Sequence, residues 1–528
     1  MNSETPASRP SSEGYAPERA EAWFVLFVFL SALVVNVRCS VLGWSYPLLD
    51  IHSFRQTQTA ITTYYFLKDG LSLDYITPAL GPPWRIPFEF PLYQWIVALL
   101  CKATGMALDQ AGRFVSLVFF YLCFVPLFHL LKAAKLGRTQ ILMFFSLFLV
   151  SPVYMFWSRT FMIESLALFL SLVYLHYAVR YFATDKGAVY LLAAMLVGSL
   201  GALTKITTMA VFFFASSLLA IYFTNDEFRA GKTGRPVVMK YLAFVACAYL
   251  VPIVITEAWI LRTDQMKEMN PMSASIASYK LKNWNFGTLK MKLSWDTWES
   301  IMVNHAARVV GSLGFLILSV VALFVKRHRK LMALCVLSFL AGPAVFTKLY
   351  FMHDYYIYAS GLFLIALAGF ALVSLMDIRW LAKFSVFLLF PAMVVVMAVM
   401  YHINYEPTIE AAGKRDMSHY AFLKSMTRED EVIVIIGQGW SSETPYYSER
   451  KAIMPWHKTI WPGTPAFNKV IADVGGENIG AVVVCGKCRD DKGEYRQLAH
   501  RIGLDLFVSR PDDKCDYYFR NSPGQEPR

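Results

Sequence analysis

The sequence predicts a polytopic α-helical membrane protein with about 11 transmembrane helices and a small carboxyl-terminal α/β domain. Of its 528 residues, 56% are hydrophobic and 17% are charged, whereas soluble domains carry about 25% charged residues. Apolar runs of about 20 residues, the length that crosses the hydrocarbon core of a bilayer, recur up to about residue 400. Beyond that point charged and turn-forming residues return. An ordinary cytosolic enzyme and a disordered chain are both excluded.

The first predicted span follows a tail, residues 1–22, that is rich in Ser, Pro and Glu and has no hydrophobic periodicity. The apolar run from Trp23 to about Gly43 is not followed by a small-residue cleavage site, so we expect a retained span. The other predicted spans lie near residues 112–131, 139–157, 162–181, 188–204, 206–223, 241–261, 306–325, 331–347, 355–376 and 380–400.

One apolar run is too short to span. Phe90 to Cys101 is about a dozen residues long, which suits an interfacial or re-entrant helix. If this run does not cross, the loops on the tail's side carry fifteen Lys and Arg against four Asp and Glu. Cytoplasmic loops are rich in basic residues, so we place the tail inside and loops 44–111 and 262–305 outside. This asymmetry accounts for most of the net charge of +12, and no nucleic-acid partner is expected.

The predicted carboxyl-terminal domain, residues 401–528, also lies outside. Residues 431–437 and 479–486 have the apolar composition of buried strands, and residues 466–474 have helical spacing. Cys485 and Cys488 match a redox pair or half of a zinc site, but no second pair completes a metal site. Outside the cytoplasm we expect a structural disulfide in which Cys515 pairs with one of these two cysteines.

Ionisable residues gather at the predicted outer ends of the spans, and such residues mark candidate sites because charge is costly at membrane depth. A single one is equally explained as a solvated or snorkelling side chain, but several fall on one face. They are Asp50, His52, Arg55, Arg85, Glu89, Arg159, Glu164, Lys205, Lys348, His353 and Asp354.

Residues 50–67 are the most informative of these segments. Ser53 and Gln56 have capping-box spacing, which predicts a helix that begins there with Asp50 just before its amino end. A carboxylate beside His52 and Arg55 is suited to act as a general base, with cations available for an anionic leaving group. The alternative is a plain amphipathic anchor helix.

Lys205 interrupts two back-to-back apolar spans, so its ammonium group must be paired or bound to a ligand. A lipid phosphate would satisfy it, and snorkelling to the headgroups is the competing explanation. In loop 262–305 an aromatic and basic set is suited either to a sugar-stacking lid or to interfacial anchoring, and we favour anchoring. The set comprises Tyr279, Trp284, Trp295, Trp298, Lys280, Lys282, Lys290 and Lys292.

These segments resemble the bacterial GT-C glycosyltransferases, the polytopic family that includes the protein O-mannosyltransferases and the lipid A aminoarabinose transferase. The resemblance covers roughly residues 23–400 and rests on motifs in family order. They are Asp50-x-His52-x-x-Arg55-Gln56-x-x-Thr59-Ala60, Glu89-Phe90-Pro91-Leu92-Tyr93-Gln94, Arg113-Phe-Val-Ser116, Ser158-Arg159-x-x-x-Ile-Glu164, Leu203-Thr204-Lys205 and, more weakly, His353-Asp354-Tyr355-Tyr356.

The resemblance implies a glycosyltransferase of the bacterial inner membrane that uses a polyprenyl-phosphate sugar donor on the periplasmic side. The acceptor is an envelope glycan, a glycolipid or a protein, and membrane lipids surround the chain. Asp50 matches the catalytic carboxylate, and Glu164 matches a second acidic position that is usually Asp. The implied substrate-binding residues are His52, Arg55, Glu89, Arg159, Lys205, Lys348, His353 and Tyr355.

Two other classes of protein satisfy part of this pattern. A secondary transporter or lipid flippase also needs charged residues in its membrane domain, but the chain has no internal repeat and no charges near mid-span. A scaffold for an envelope complex would act through residues 401–528. No nucleotide-binding Gly-rich loop is present, no cofactor is required by the pattern, and a divalent metal stays an open alternative.

Overall fold

The computed structural model describes residues 17–184, 187–229, 235–510 and 514–521, so most of the predicted tail lies outside the described residues. The helices before the carboxyl-terminal domain are α1 Arg19–Val41, α2 Ser53–Asp69, α3 Leu92–Thr104, α4 Leu108–Leu122, α5 Phe124–Ala133, α6 Arg138–Val150, α7 Pro152–Trp157, α8 Glu164–Ala183, α9 Gly187–Arg229, α10 Arg235–Val245, α11 Val251–Glu268, α12 Lys282–Phe286, α13 Leu289–Leu293, α14 Trp295–Glu299, α15 Ala307–Val309, α16 Leu313–Val321, α17 Arg329–Val345, α18 Thr347–Met352, α19 Ile357–Met376, α20 Ala382–Phe384 and α21 Phe390–Asn404.

Seven helical stretches within the described residues are long and apolar enough to cross a membrane, and an eighth results if one pair bent by 87° counts as one span. The predicted count of 11 is therefore not confirmed. Breaks in the helices explain part of the difference. The predicted span 139–157 is divided at Ser151 into α6 and α7, and the predicted span 306–325 contains the bend.

The predicted spans 188–204 and 206–223 both belong to α9. The helical backbone of α9 is interrupted at Lys205, where φ is −162° and ψ is 94°. Met209 Sδ lies 3.0 Å from where a Cβ on Gly201 would stand, although eight residues of straight helix extend about 12 Å. Tyr174 of α8 contacts Gly198 in the first half and Ser216 in the second. The two halves therefore fold back on each other, and Lys205 lies at their turn.

The short apolar run forms α3, which at 13 residues is below the length of a span, as predicted. Loops assigned to the same side of the membrane contact one another. The segments around Asp50, Glu89, Lys205 and Asp354, which the sequence assigns to one side, meet in one cluster, described below. At the other end Arg327 bonds to Asp377, and Lys383 lies 4.0 Å from Glu18.

The carboxyl-terminal domain contains a five-stranded mixed sheet and is a small α/β domain, as predicted. The strand order is β2-β1-β3-β5-β4, with β1 parallel to β2 and β3, and β5 antiparallel to β3 and β4. Its elements are α22 Glu406–Gly413, α23 Ser418–Met426, β1 Val432–Ile436, α24 Glu443–Ser448, β2 Lys451–Ile453, α25 Pro465–Val474, β3 Ile479–Cys485, α26 Lys492–Arg501, β4 Leu506–Ser509 and β5 Cys515–Phe519.

All residues of β1 and β3 are buried because helices and loops cover both faces of these strands. The two strands and α25 match the elements expected from their apolar runs. Cys485 and Cys515 form a disulfide across β3 and β5, and Cys488 is free. The predicted disulfide is confirmed, with Cys485 as the partner of Cys515.

The β2 edge of the sheet packs against loop 44–111. Leu80 forms a bridge with Ile453, and the Ala452 amide donates to the Pro78 carbonyl at 2.9 Å. Ala79, Leu80, Ile86 and Met272 share one hydrophobic core with the sheet. This packing holds the carboxyl ends of the parallel strands near α2 and the segment before α3.

Candidate active site

A buried ion pair lies at the centre of the cluster of charged residues. Lys205 Nζ donates to Glu164 Oε2 at 2.6 Å and also bonds to the second carboxylate oxygen. The two side chains are 6% and 3% exposed. Lys205 reaches this position because the α9 hairpin turns at it, while Glu164 is the first residue of α8. The sequence predicts that Lys205 is paired or bound to a ligand, and in this structure its partner is Glu164.

A second ion pair lies beside the first. Arg55, on the first turn of α2, bonds to the Glu89 carboxylate and to the Gln58 side chain. Glu89 lies just before α3, and the Phe90 amide donates to the Leu203 carbonyl at 3.1 Å. This hydrogen bond fixes the Glu89 segment against the turn that carries Lys205.

Two tyrosines join these ion pairs to the turn before α19. Lys205 Nζ lies 5.0 Å from the ring centroid of Tyr355 and 4.5 Å from that of Tyr356, which are favourable cation–π distances. The Tyr355 and Tyr356 rings stack with centroids 4.7 Å apart. Aromatic faces and carboxylates thus surround the Lys205 ammonium group.

His52 forms the next layer of the cluster. Its Nε2 lies 3.2 Å from Asp354 Oδ1, and Asp354 Oδ2 accepts a 3.4 Å hydrogen bond from the Tyr405 hydroxyl. His52 has φ 53° and ψ 39°, the left-handed region that non-glycine residues rarely adopt. Such backbone strain persists where surrounding contacts hold it and is concentrated at functional sites. The His52 ring also lies 5.0 Å from Tyr355.

His353, Lys348 and Trp284 close one side of the cluster. The His353 ring lies 5.1 Å from His52 and 6.0 Å from Trp284, and Lys348 Nζ lies 4.7 Å from the Trp284 ring centroid. Burial, followed by the nearby His52, lowers the pKa of His353 to about 4. His353 is therefore a neutral ring at physiological pH, whereas Lys348 has no carboxylate of the described residues within 4.0 Å.

Asp50 lies on the other side of His52 in a separate polar network. Its carboxylate is 3% exposed, faces Arg159 Nη1 at 3.8 Å and accepts a hydrogen bond from Gln56. Burial raises the pKa of Asp50 above its usual value, while Arg159 and Arg113 act against this rise. Asp50 therefore holds a proton more readily than an exposed aspartate.

The two arginines of this network also fix the backbone that leads to Asp50. Arg159 donates to the Leu42 carbonyl at 2.6 Å, and Arg113 donates to the Trp44 and Tyr46 carbonyls at 2.8 and 2.7 Å. Both side chains are almost fully buried. Arg159 is thus a neighbour of Asp50 and not of the Lys205 pair.

The start of α2 is predicted correctly, but the capping-box mechanism is wrong. His52 is the capping residue and makes no side-chain cap. The Ser53 hydroxyl donates instead to Glu443 at 2.5 Å, and Gln56 turns back to Asp50 and to the Ile51 carbonyl. Contacts with the carboxyl-terminal domain compete successfully with the local cap. Residues 56–63 are buried on every side, so protein encloses this helix.

The structure brings His52, Arg55, Glu89, Glu164, Lys205, Lys348, His353 and Tyr355 into one cluster and places Asp50 and Arg159 beside it. The sequence placed Asp354 among the charged residues of the predicted face but gave it no role in the site, and it did not assign Tyr356 or Trp284 to the site. The His353-to-Tyr356 motif contained the signal for two of them. Among the described residues, no group of three or more His, Cys, Asp or Glu side chains is arranged to hold a metal ion.

Comparison with known proteins identifies the fold. No family model and no curated protein matches the sequence. The solved structure of ArnT from Cupriavidus metallidurans, bound to undecaprenyl phosphate, superposes with a TM-score of 0.61 at 14% identity, over 96% of this chain and 100% of that one. The chain therefore has the fold of the GT-C glycosyltransferases.

Two larger proteins are similar over much of this chain. The archaeal oligosaccharyltransferase AglB from Archaeoglobus fulgidus, in complex with an inhibitory peptide and a dolichol-phosphate, has a TM-score of 0.53 at 11% identity, over 89% of this chain and 70% of AglB. The arabinofuranosyltransferase AftD from Mycobacteria has a TM-score of 0.50 at 12% identity, over 97% of this chain and 40% of AftD.

Proposed function

We propose that this protein transfers a sugar from a polyprenyl-phosphate-linked donor to an envelope glycan, glycolipid or protein acceptor. The reaction takes place at the outer face of the bacterial inner membrane, where the site and the carboxyl-terminal domain lie on the periplasmic side. The observation that carries the proposal is that Arg55, Lys205 and Lys348 lie in one cluster beside helices that are long and apolar enough to span a membrane. Cations at this depth suit a phosphate that is attached to a membrane lipid.

The charge distribution of the cluster supports a phosphate site. Glu164 and Glu89 hold Lys205 and Arg55 in place in the absence of a ligand, and Lys348 has no carboxylate partner among the described residues. A phosphate that enters between them gains charge-assisted hydrogen bonds. Neutral His353 supplies a ring N–H donor at physiological pH and no charge.

The similar structures support the same donor class. ArnT was solved with undecaprenyl phosphate, and AglB with a dolichol-phosphate. Both molecules are polyprenyl phosphates. A polyprenyl phosphate is the leaving group of the proposed reaction. Residues on this chain that bind a phosphate monoester would stabilise the negative charge that builds up as the glycosidic bond breaks.

Asp50 is the proposed general base. The acceptor hydroxyl oxygen forms the new bond to the anomeric carbon, the carbon–oxygen bond to phosphate breaks, and the hydroxyl proton passes to Asp50. The polyprenyl phosphate leaves with the bonding electron pair, and a single displacement inverts the anomeric centre. The raised pKa of Asp50 favours proton uptake, and Arg159 balances the carboxylate charge before transfer.

The test uses lipid binding, because undecaprenyl phosphate is common to every candidate sugar donor. Undecaprenyl phosphate and undecaprenol are titrated into the full chain in nanodiscs, and binding is measured by native mass spectrometry. We expect at least about tenfold tighter binding of the phosphate. Lys348→Gln should reduce this preference, and Lys383→Gln at the opposite end should not. Equal binding of the two lipids would overturn the donor assignment.

A further inference from the structure

We propose that the carboxyl-terminal domain and loop 44–111 together form a glycan-binding subsite for the acceptor, an aromatic platform of Phe54, Phe88, Trp440 and Trp456. This inference rests on the proposed function, because it names the acceptor class of the same reaction. The Trp440 ring stacks on Phe88 with centroids 5.8 Å apart, meets Phe54 edge-on at 4.9 Å and lies 6.4 Å from Trp456. All four side chains are partly exposed.

The platform lies where an α/β sheet ordinarily binds ligands. Trp440 follows β1, and Trp456 follows β2, so both leave the carboxyl ends of parallel strands. The chain runs from β1 to β2 on one side and reaches β3 on the other side of β1. Ligands of open α/β sheets bind at the carboxyl ends of the strands, beside such a change in strand order.

Unpartnered polar atoms accompany these rings. Ser441 Oγ, Ser442 Oγ and Trp456 Nε1 are buried and have no hydrogen-bond partner among the described residues, and the whole Ser442 side chain is inaccessible. Buried polar groups ordinarily have partners. Three such atoms, in the segments that follow β1 and β2, therefore point to a ligand rich in hydroxyl groups.

The platform is joined directly to the candidate active site. Phe54 directly precedes Arg55, and Phe88 directly precedes Glu89. Arg55 and Glu89 form the ion pair beside Lys205. A sugar that rests on Trp440 therefore lies next to the chain segments that hold the proposed donor phosphate. This proximity is what an acceptor subsite requires, since the two reactants must be held in reacting distance.

A glycan fits this surface better than a peptide strand does. A pyranose presents a flat C–H face to an aromatic ring and directs its hydroxyl groups toward polar atoms at the rim. A peptide would add to a free sheet edge, but at the β2 edge residues 78–81 of this chain already pair with Ala452 and Ile453. The edge next to the platform is thus occupied.

The experiment measures glycan binding and donor-lipid binding on the same preparations. The full chain in nanodiscs is screened on an array of bacterial envelope oligosaccharides, and the best binder is titrated into Trp456→Ala, Trp456→Phe and Trp380→Ala. Trp380 is 79% exposed and lies outside the platform, so it is the matched control. Thermal unfolding confirms that each variant is folded.

We expect Trp456→Ala to weaken glycan binding about tenfold or more, Trp456→Phe to retain part of it, and Trp380→Ala to match the wild type. Failure to bind any glycan on the array, or unchanged glycan binding by Trp456→Ala, would overturn the assignment of the platform as a glycan-binding subsite. If undecaprenyl phosphate still binds in that case, the failure concerns the acceptor subsite alone. Loss of phosphate-dependent lipid binding in the wild type would instead remove the proposed function.

Discussion

Lys205 Nζ donates a 2.6 Å hydrogen bond to Glu164 Oε2, with both side chains more than nine-tenths buried. This pair joins the turn of the α9 hairpin to the first residue of α8, 41 residues earlier in the chain. Removing both charges from water is costly, and their attraction offsets that cost only while both partners are present. The pair therefore determines the position of the cation that we assign to the donor phosphate.

Removing one partner of this pair should destabilise the protein more than removing both. Lys205→Met leaves Glu164 as an unpaired buried carboxylate, so we expect a loss of about 3–5 kcal/mol in the free energy of unfolding. Combining Lys205→Met with Glu164→Leu should recover much of that loss. Denaturation of the purified chain in detergent measures both effects. Additive losses in the double variant would show that the pair does not act as a unit.

His353 should make the fold sensitive to acid. Its pKa is about 4 in the folded protein against an ordinary value of 6.5, so the unfolded chain takes up the proton first as the pH falls. The contribution of His353 to the free energy of unfolding is fully present above about pH 6.5. It is lost as the pH falls toward 4, which lowers the free energy of unfolding by up to about 3 kcal/mol.

His353→Gln should reduce this decline, as measured by unfolding midpoints between pH 7 and pH 4. His457→Gln is the control, because His457 is exposed in the carboxyl-terminal domain. An identical pH profile for the wild type and His353→Gln would contradict the assignment of a neutral, half-buried ring.

The disulfide between Cys485 and Cys515 should stabilise the carboxyl-terminal domain. It closes a loop with a sequence separation of 30, and bonds of this kind contribute about 2–4 kcal/mol. Cys515→Ser should lower the unfolding temperature, and Cys488→Ser should leave it nearly unchanged because Cys488 is free. Alkylation followed by mass spectrometry identifies the thiols. A larger effect from Cys488→Ser would contradict the observed pairing.

Tyr447 should couple the carboxyl-terminal domain to the segment that leads to Asp50. Its hydroxyl donates to Asp109 Oδ2 at 3.1 Å and accepts from the Leu48 amide at 2.5 Å. Tyr447→Phe leaves both groups without this partner, at a cost of about 1–3 kcal/mol. We expect faster amide hydrogen exchange in residues 45–50.

The matched control for Tyr447→Phe is Tyr279→Phe, because Tyr279 is 62% exposed and its hydroxyl bonds to Glu268 at the surface. Water replaces that hydrogen bond, so exchange in residues 45–50 should not change. Equal exchange in wild type and Tyr447→Phe would show that the two domains are not coupled through this residue.

The sequence was sufficient to predict the features that depend on local pattern. Apolar length predicted a helical membrane body and the short α3, strand-like runs predicted β1 and β3, and the interruption at Lys205 predicted the turn of the α9 hairpin. Side-chain contacts between distant segments could not be predicted from the sequence. Gln56 has capping spacing, but its contact with Asp50 and the contact of Ser53 with Glu443 depend on elements that pack from elsewhere.

The sequence predicted which residues form the candidate site but not which of them contact one another. Motif order identified Glu164, Lys205 and Arg55, whereas the pairing of Lys205 with Glu164 and of Arg55 with Glu89 follows from helix packing. The predicted count of 11 spans is not confirmed, in part because a break at Ser151 and a bend of 87° interrupt apolar runs that hydropathy alone treats as continuous. The aromatic platform joins residues separated by hundreds of positions.

The most direct test of the central claim measures release of undecaprenyl phosphate by wild type and Asp50→Asn. Undecaprenyl-phosphate-linked glucose, mannose, galactose and arabinose are each offered with an envelope extract from a strain that lacks the protein. Asp416→Asn is the control, because that carboxylate is fully exposed. We predict release from at least one donor by wild type and Asp416→Asn, and a loss of about 100-fold in Asp50→Asn, with undecaprenyl phosphate binding retained. A folded Asp50→Asn variant that works at the wild-type rate would contradict the account.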